Sequence, residues 1–173
     1  MALALDMHCD TVSRLWRDRQ NGDPKTLREN DLAVDLRKMQ AGGYLLQNFA
    51  AFVFLQQEQD PLVNVLELID EYWNQMEANQ DLIAPVLRYA DIEKNRENGK
   101  LSGMLTVEEG GVCKGSVEVL RDLYRLGVRM MTLTWNFENE IGFPHTIVTR
   151  EDYDPQKRWG LKPRGIEIVR EMN

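Results

Sequence analysis

An α/β fold, about four β-α units around a parallel sheet, is to be expected of this sequence on three grounds. Short apolar runs alternate with longer amphipathic stretches, the pattern left when each buried strand is followed by a helix that packs back on the sheet. Residues that start and stop helices stand between the runs. At 173 residues, 43% hydrophobic and 28% charged, the chain has the composition of one soluble domain with enough apolar material to bury a core.

Leu3 to His8 is the first expected strand and Tyr44 to Leu55 the second, each an apolar run bounded by polar residues. Pro61 to Asn79 is the clearest helix. Asp60 is a good N-cap, Pro61 fits the first helical position, and Leu62, Val65, Leu66, Ile69, Tyr72, Trp73 and Met76 recur at helical spacing as core-packing residues. Asp91 to Asn98, stopped by Gly99, is a second helix, followed by a strand from Gly103 to Glu108. Ser116 to Leu126 is a third helix, with Ser116 capping, Glu118 in the first turn and Gly127 ending it. Val128 to Thr134 is the fourth strand, and a last helix starts near Lys162-Pro163 and runs to the C-terminus.

The chemistry concentrates in His8-Cys9-Asp10, at the end of the first strand. Strand side chains alternate faces, so His8 and Asp10 point to one side and Cys9 to the other. An imidazole nitrogen and a carboxylate oxygen so placed can both reach one divalent ion, and a mixed N/O donor set suits zinc. The same triplet also arises as an ordinary surface or core histidine beside an acid. Glu108-Glu109-Gly110-Gly111 closes the third strand, its glycines permitting a turn and a close approach that a side chain would block. His8, Asp10, the Glu108–Glu109 pair and Trp135-Asn136 all fall where strands end, the side on which barrels of β-α units collect their catalytic groups.

Other classes are disfavoured. Net charge is −7, the acids are dispersed, and no Lys/Arg cluster is interleaved with aromatics, which argues against nucleic acid. No apolar run reaches the roughly 18 residues that span a bilayer, and no secretory signal is visible, so no membrane partner and a cytoplasmic location are expected. Cys9 and Cys113 are too few for a disulfide framework and are expected to be reduced. His145, in a Gly142-Phe143-Pro144 loop, is expected to be solvated.

Read in order, His8-Cys9-Asp10-Thr11, Asp35-Leu36-Arg37-Lys38-Met39-Gln40-Ala41-Gly42-Gly43, Gln47-Asn48-Phe49-Ala50, Val107-Glu108-Glu109-Gly110-Gly111, Leu123-Tyr124-Arg125-Leu126-Gly127-Val128-Arg129, Thr132-Leu133-Thr134-Trp135-Asn136 and Gly160-Leu161-Lys162-Pro163-Arg164-Gly165 form a succession. It resembles the N-terminal half of the renal (membrane) dipeptidase family of zinc peptidases, from His8 to Asn173. The resemblance implies the N-terminal half of an eight-stranded TIM-type (β/α)8 barrel, residues 1–173 forming a single incomplete domain. It implies amide hydrolysis of dipeptides by a water that two zinc ions activate.

In that family a Glu immediately before Gly-Gly bridges the two ions, which by position is Glu109, with Glu108 as rival; His8 and Asp10 would hold the first ion. The histidines for the second ion and the proton-shuttling acid are expected from the other half, since only His8 and His145 are present here. At most one ion should be well held by this half. Trp135 stands where vertebrate members have a substrate-contacting histidine, so Trp135 and Asn136 are the substrate-binding candidates and the side-chain preference is open. Half a barrel leaves sheet edges and an apolar inner face uncovered, so self-association or pairing with a complementary half is expected. The competing reading is a catalytically silent half-barrel that binds or interacts. A different barrel amidohydrolase is disfavoured because those open with His-x-His, whereas position 10 is Asp.

Overall fold

The computed structural model describes residues 3–157 and 159–173, which fold around one parallel sheet. In chain order the elements are β1 (Ala4–Cys9), α1 (Thr11–Gln20), α2 (Leu36–Ala41), β2 (Tyr44–Phe52), α3 (Pro61–Ala78), β3 (Ile83–Pro85), α4 (Tyr89–Glu97), β4 (Leu101–Glu108), α5 (Val117–Arg125), β5 (Val128–Thr132) and α6 (Pro163–Met172). The four expected strands are β1, β2, β4 and β5, with β2 ending at Phe52 and β5 at Thr132, both short of the apolar runs that announced them. Beyond those ends the residues leave the ladder to form the loops that carry the site.

The helix starts follow their capping residues. Asp60 accepts the Val63 amide at 3.3 Å with Pro61 in the first turn of α3, and Ser116 Oγ accepts the Val119 amide at 3.3 Å to open α5. α4 begins two residues before the expected Asp91. The Asp91 carboxylate reaches back to accept the amides of Leu87 and Arg88 at 2.9 and 2.8 Å, the task of a residue inside the first turn rather than at its edge.

β2 lies between β1 and β4, and both β3 and β5 line the far edge of β4, β3 along its first residues and β5 along its last. Every pairing is parallel, so all strands end on one side. Phe49 packs its ring against Tyr72 of α3, centroids 6.2 Å apart, which defines the helix-covered face. The opposite, inner face carries Asn48, whose Nδ2 lies 3.9 Å from the sulfurs of both Met7 and Met130. On that first strand Leu5 and Met7 are 56% and 55% exposed, so the helix side is covered and the inner side is open.

A buried acid holds the α1–β2 connection. Asp35, 1% exposed, caps α2: it accepts the Lys38 amide at 2.8 Å and the Asn30 amide at 3.2 Å, and it pairs with Lys38 Nζ at 2.8 Å. Burial pushes this carboxyl up, but the hydrogen bonds from Lys38 and Asn30 outweigh it and hold the group below the ordinary aspartate range. A carboxyl depressed on folding contributes stability above its unfolded pKa and loses it as pH falls through the folded value. Asp35→Asn is therefore expected to cost about 1–2 kcal/mol near neutral pH. That deficit should narrow below about pH 4, and urea melts of both proteins at descending pH check it. A constant deficit across the series would show that the charge is not what stabilises the loop.

Candidate metal centre

β1 and β4 flank β2 on either side and end on the same side of the sheet, where His8 and Asp10 from the β1 end meet Glu108 from the β4 end. His8 Nε2 lies 3.4 Å from Asp10 Oδ1 and 3.5 Å from Glu108 Oε2. One ligand atom from each of the three residues falls within 4.8 Å of the other two. The expected pointing of His8 and Asp10 to one side is thus observed. Asp10 sits at the N-cap of α1 yet its side chain makes no capping hydrogen bond, although aspartate there ordinarily accepts an amide of the first turn. It faces His8 instead, a local rule broken where a functional group is wanted.

Two carboxylates converge on one imidazole nitrogen, at distances too long for either to make a good hydrogen bond. The Glu108 carboxyl is pushed above its usual range, first by burial and further by the charges of Asp10 and Glu109, with His8 opposing. The position is short of positive charge. A nitrogen and two carboxylate oxygens are donors that zinc accepts, so the residues present fit such an ion.

The acid that faces His8 is Glu108. In β4 the alternate residues Leu105 and Val107 are buried in the core on the helix side, so by strand alternation Thr106 and Glu108 belong to the opposite, inner face. Glu109, one residue on, shares the parity of Leu105 and Val107 and is 2% exposed. Its Oε1 accepts the Gly111 amide at 2.8 Å and the Asn139 side-chain amide, and its Oε2 accepts the Trp135 amide at 2.8 Å. The geometry thus gathers Glu108, not Glu109, with His8 and Asp10. The alternation of apolar and polar residues through β4 favours Glu108, the rival that the resemblance left open beside Glu109, for this position.

Trp135 lies in the loop beyond β5, its ring edge-on to Phe52 and Phe54 at 5.0 and 5.3 Å, with Phe137 5.9 Å away. Phe52 is the ladder partner of Glu108, so this aromatic wall stands beside the three donors. The Asn136 carbonyl accepts the Thr146 hydroxyl at 2.7 Å, which ties the same loop to the turn at His145–Thr149. His145 is exposed and is not one of the gathered donors among the described residues. Both cysteines are free and buried in the core, and burial pushes the Cys9 thiol to about 11 and Cys113 to about 12, so neither offers a thiolate near neutral pH. No helix among the described residues is long and apolar enough to cross a membrane.

The profile of a family described as membrane dipeptidase (peptidase family M19) matches residues 2–173. An uncharacterized dipeptidase of Schizosaccharomyces pombe is 32% identical over 161 residues, 84% of this chain and 37% of that protein. Among solved structures, the dipeptidase AC, a metallopeptidase of family M19, superposes with a TM-score of 0.81 over 99% of this chain and 53% of its own, at 21% identity. A metallopeptidase from Rhodobacter sphaeroides, liganded with a phosphinate mimic of the dipeptide L-Ala-D-Ala, gives 0.79 over 98% of this chain and 55% of its own, at 20% identity. The chain spans about half the length of these solved structures and less of the curated relative. The fold is accordingly half of a TIM-type barrel.

Proposed function

We propose that this chain, which belongs to the membrane dipeptidase family (peptidase family M19), carries the first metal-holding corner of a zinc-dependent dipeptidase, with His8, Asp10 and Glu108 as donors. The convergence of these three residues where the strands end, the catalytic side of a barrel, is the observation that supports it most. The substrate class we assign is the dipeptide. The Rhodobacter sphaeroides relative was solved with a mimic of one, and the aromatic wall of Phe52, Phe54, Trp135 and Phe137 offers apolar surface beside the donors.

When bound, zinc supplies Lewis acidity toward the scissile carbonyl and makes a neighbouring water more acidic. This chain's part is to hold and to shape. His8 and Asp10 anchor from the β1–α1 junction, Glu108 closes the corner from β4, and Trp135 keeps bulk water from one side. Three donors are fewer than zinc prefers, so the remaining donors and the proton-shuttling acid belong to a complementary half-barrel, which would also cover Leu5 and Met7. Pairing with that half, or self-association in its absence, is part of the same proposal.

The 173-residue chain alone is accordingly expected to bind about one zinc ion and to hydrolyse dipeptides poorly or not at all. Metal analysis after gel filtration, with an Ala-Ala hydrolysis assay on the same fractions, checks both. Two tightly held ions with turnover would show that this half is sufficient, and failure to retain any zinc would remove the metal reading.

A further inference from the structure

We infer that Glu109 is a positioning residue: with Asn139 it clamps the loop 133–142 onto the turn after β4 and so sets Trp135 beside the metal corner. The inference rests on the reading of Glu108 as the metal-facing acid, and it concerns a residue to which that reading gives no task.

A carboxylate buried to 2% exposure is costly unless its oxygens are satisfied. Glu109 has no cationic partner among the described residues; three N–H donors take that place. They come from two separate loops, Gly111 from its own turn and Trp135 and Asn139 from the loop beyond β5. Asn139, 7% exposed, is used at both ends of its side chain. Its Nδ2 donates to Glu109 and, at 2.9 Å, to the Leu133 carbonyl, while its Oδ1 accepts the amides of Ile141 and Gly142 at 2.7 and 3.1 Å.

The two loops approach closely enough for this only because residue 110 is glycine. A Cβ there would lie 2.9 Å from the carbonyl oxygens of both Thr132 and Leu133. A Glu109 carboxylate that turned away to a metal would leave the buried Gly111 amide and the partly buried Trp135 amide unpaired. Glu108 and Glu109 therefore divide the work, one facing the donors and the other fixing the wall beside them.

The test uses cobalt(II) as metal probe and amide hydrogen exchange as loop probe, on the 173-residue chain. Glu109→Gln keeps the shape but sets an NH2 against N–H donors. Exchange through residues 133–142 is expected to accelerate about tenfold to a hundredfold, as it should in Asn139→Ala, with the rest of the sheet unchanged. Cobalt affinity should stay within about threefold and the visible cobalt spectrum should keep its shape, because the donor set is intact. Glu108→Gln is expected to do the reverse, weakening cobalt at least about tenfold and leaving loop exchange alone.

Unchanged exchange in both Glu109→Gln and Asn139→Ala would overturn the clamp. A Glu109→Gln spectrum altered like that of Glu108→Gln would make Glu109 a ligand, and that too would overturn it. Should Glu109→Gln not fold, Asn139→Ala decides the matter by the same two readouts. Cobalt binding indifferent to Glu108→Gln would instead defeat the metal reading, whatever the loop does.

Discussion

His8→Ala is expected to lower the zinc affinity of this chain by at least about a hundredfold, a larger loss than any other single change in the corner should cause. The imidazole is the only nitrogen donor of the three, and its Nε2 is the point on which Asp10 and Glu108 both converge. Without it two carboxylates face each other across the gap, and zinc is left with a hard oxygen set that discriminates poorly against magnesium or calcium. Removal of an outer partner of a metal ligand typically costs 10- to about 100-fold, so removal of the ligand itself should exceed that range. Competition titration against a chromophoric chelator measures the effect. Because His8 is about half exposed at its side chain, the variant should fold, and an unchanged denaturation midpoint separates lost affinity from lost structure. Wild-type affinity in His8→Ala would show that the metal is held elsewhere.

Gly165→Ala is expected to destabilise the chain by about 3 kcal/mol or more, despite the helix propensity that alanine adds. A Cβ at position 165 would stand 1.9 Å from the carbonyl oxygen of Ile141, a backbone atom that cannot swing aside as a side chain would. That carbonyl already accepts the Lys162 amide at 2.9 Å, and Lys162 Nζ reaches the Asn139 carbonyl at 2.6 Å, so the first turn of α6 is locked onto the loop that Asn139 organises. To admit the methyl, α6 must lift from Ile141, which is fully buried. Urea denaturation should show a lower midpoint. Gly160→Ala is the control: nothing lies within 4 Å of a Cβ there, and its effect should stay within about 0.5 kcal/mol. Equal midpoints for the two variants would mean that α6 is not held as described.

The strands and the long helices were legible in the sequence because their signals are local. Asp60-Pro61 and Ser116 cap where they were expected to, and the strands β1, β2, β4 and β5 each lie within an apolar run bounded by polar residues or glycine. Three elements gave no such signal. α1 is dominated by Arg14, Arg17, Asp18, Arg19 and Gln20, with only Val12, Leu15 and Trp16 to mark an apolar face. α2 is six residues long, and β3 has three, ending on a proline. Such short pieces are held by tertiary contacts rather than by propensity.

At the site, His8 and Asp10 were legible from strand alternation. Glu108 was legible by the same rule, which the Glu-Gly-Gly spacing obscured. Asn139 was not legible, because its role exists only once the loop beyond β5 folds onto the turn after β4.

His8 and Glu108 stand a hundred residues apart in the chain and are joined through β2, which pairs with β1 on one side and β4 on the other. That separation is a statement about time. Ordering so long an intervening loop is slow, and a nascent chain that has laid down only β1, α1 and β2 has His8 and Asp10 but nothing opposite them. On the proposed role of this corner, zinc would be captured only after β4 has joined β2, so it should slow unfolding strongly and leave the refolding rate almost untouched. Uptake of the ion then serves as a clock for completion of the sheet rather than as its trigger.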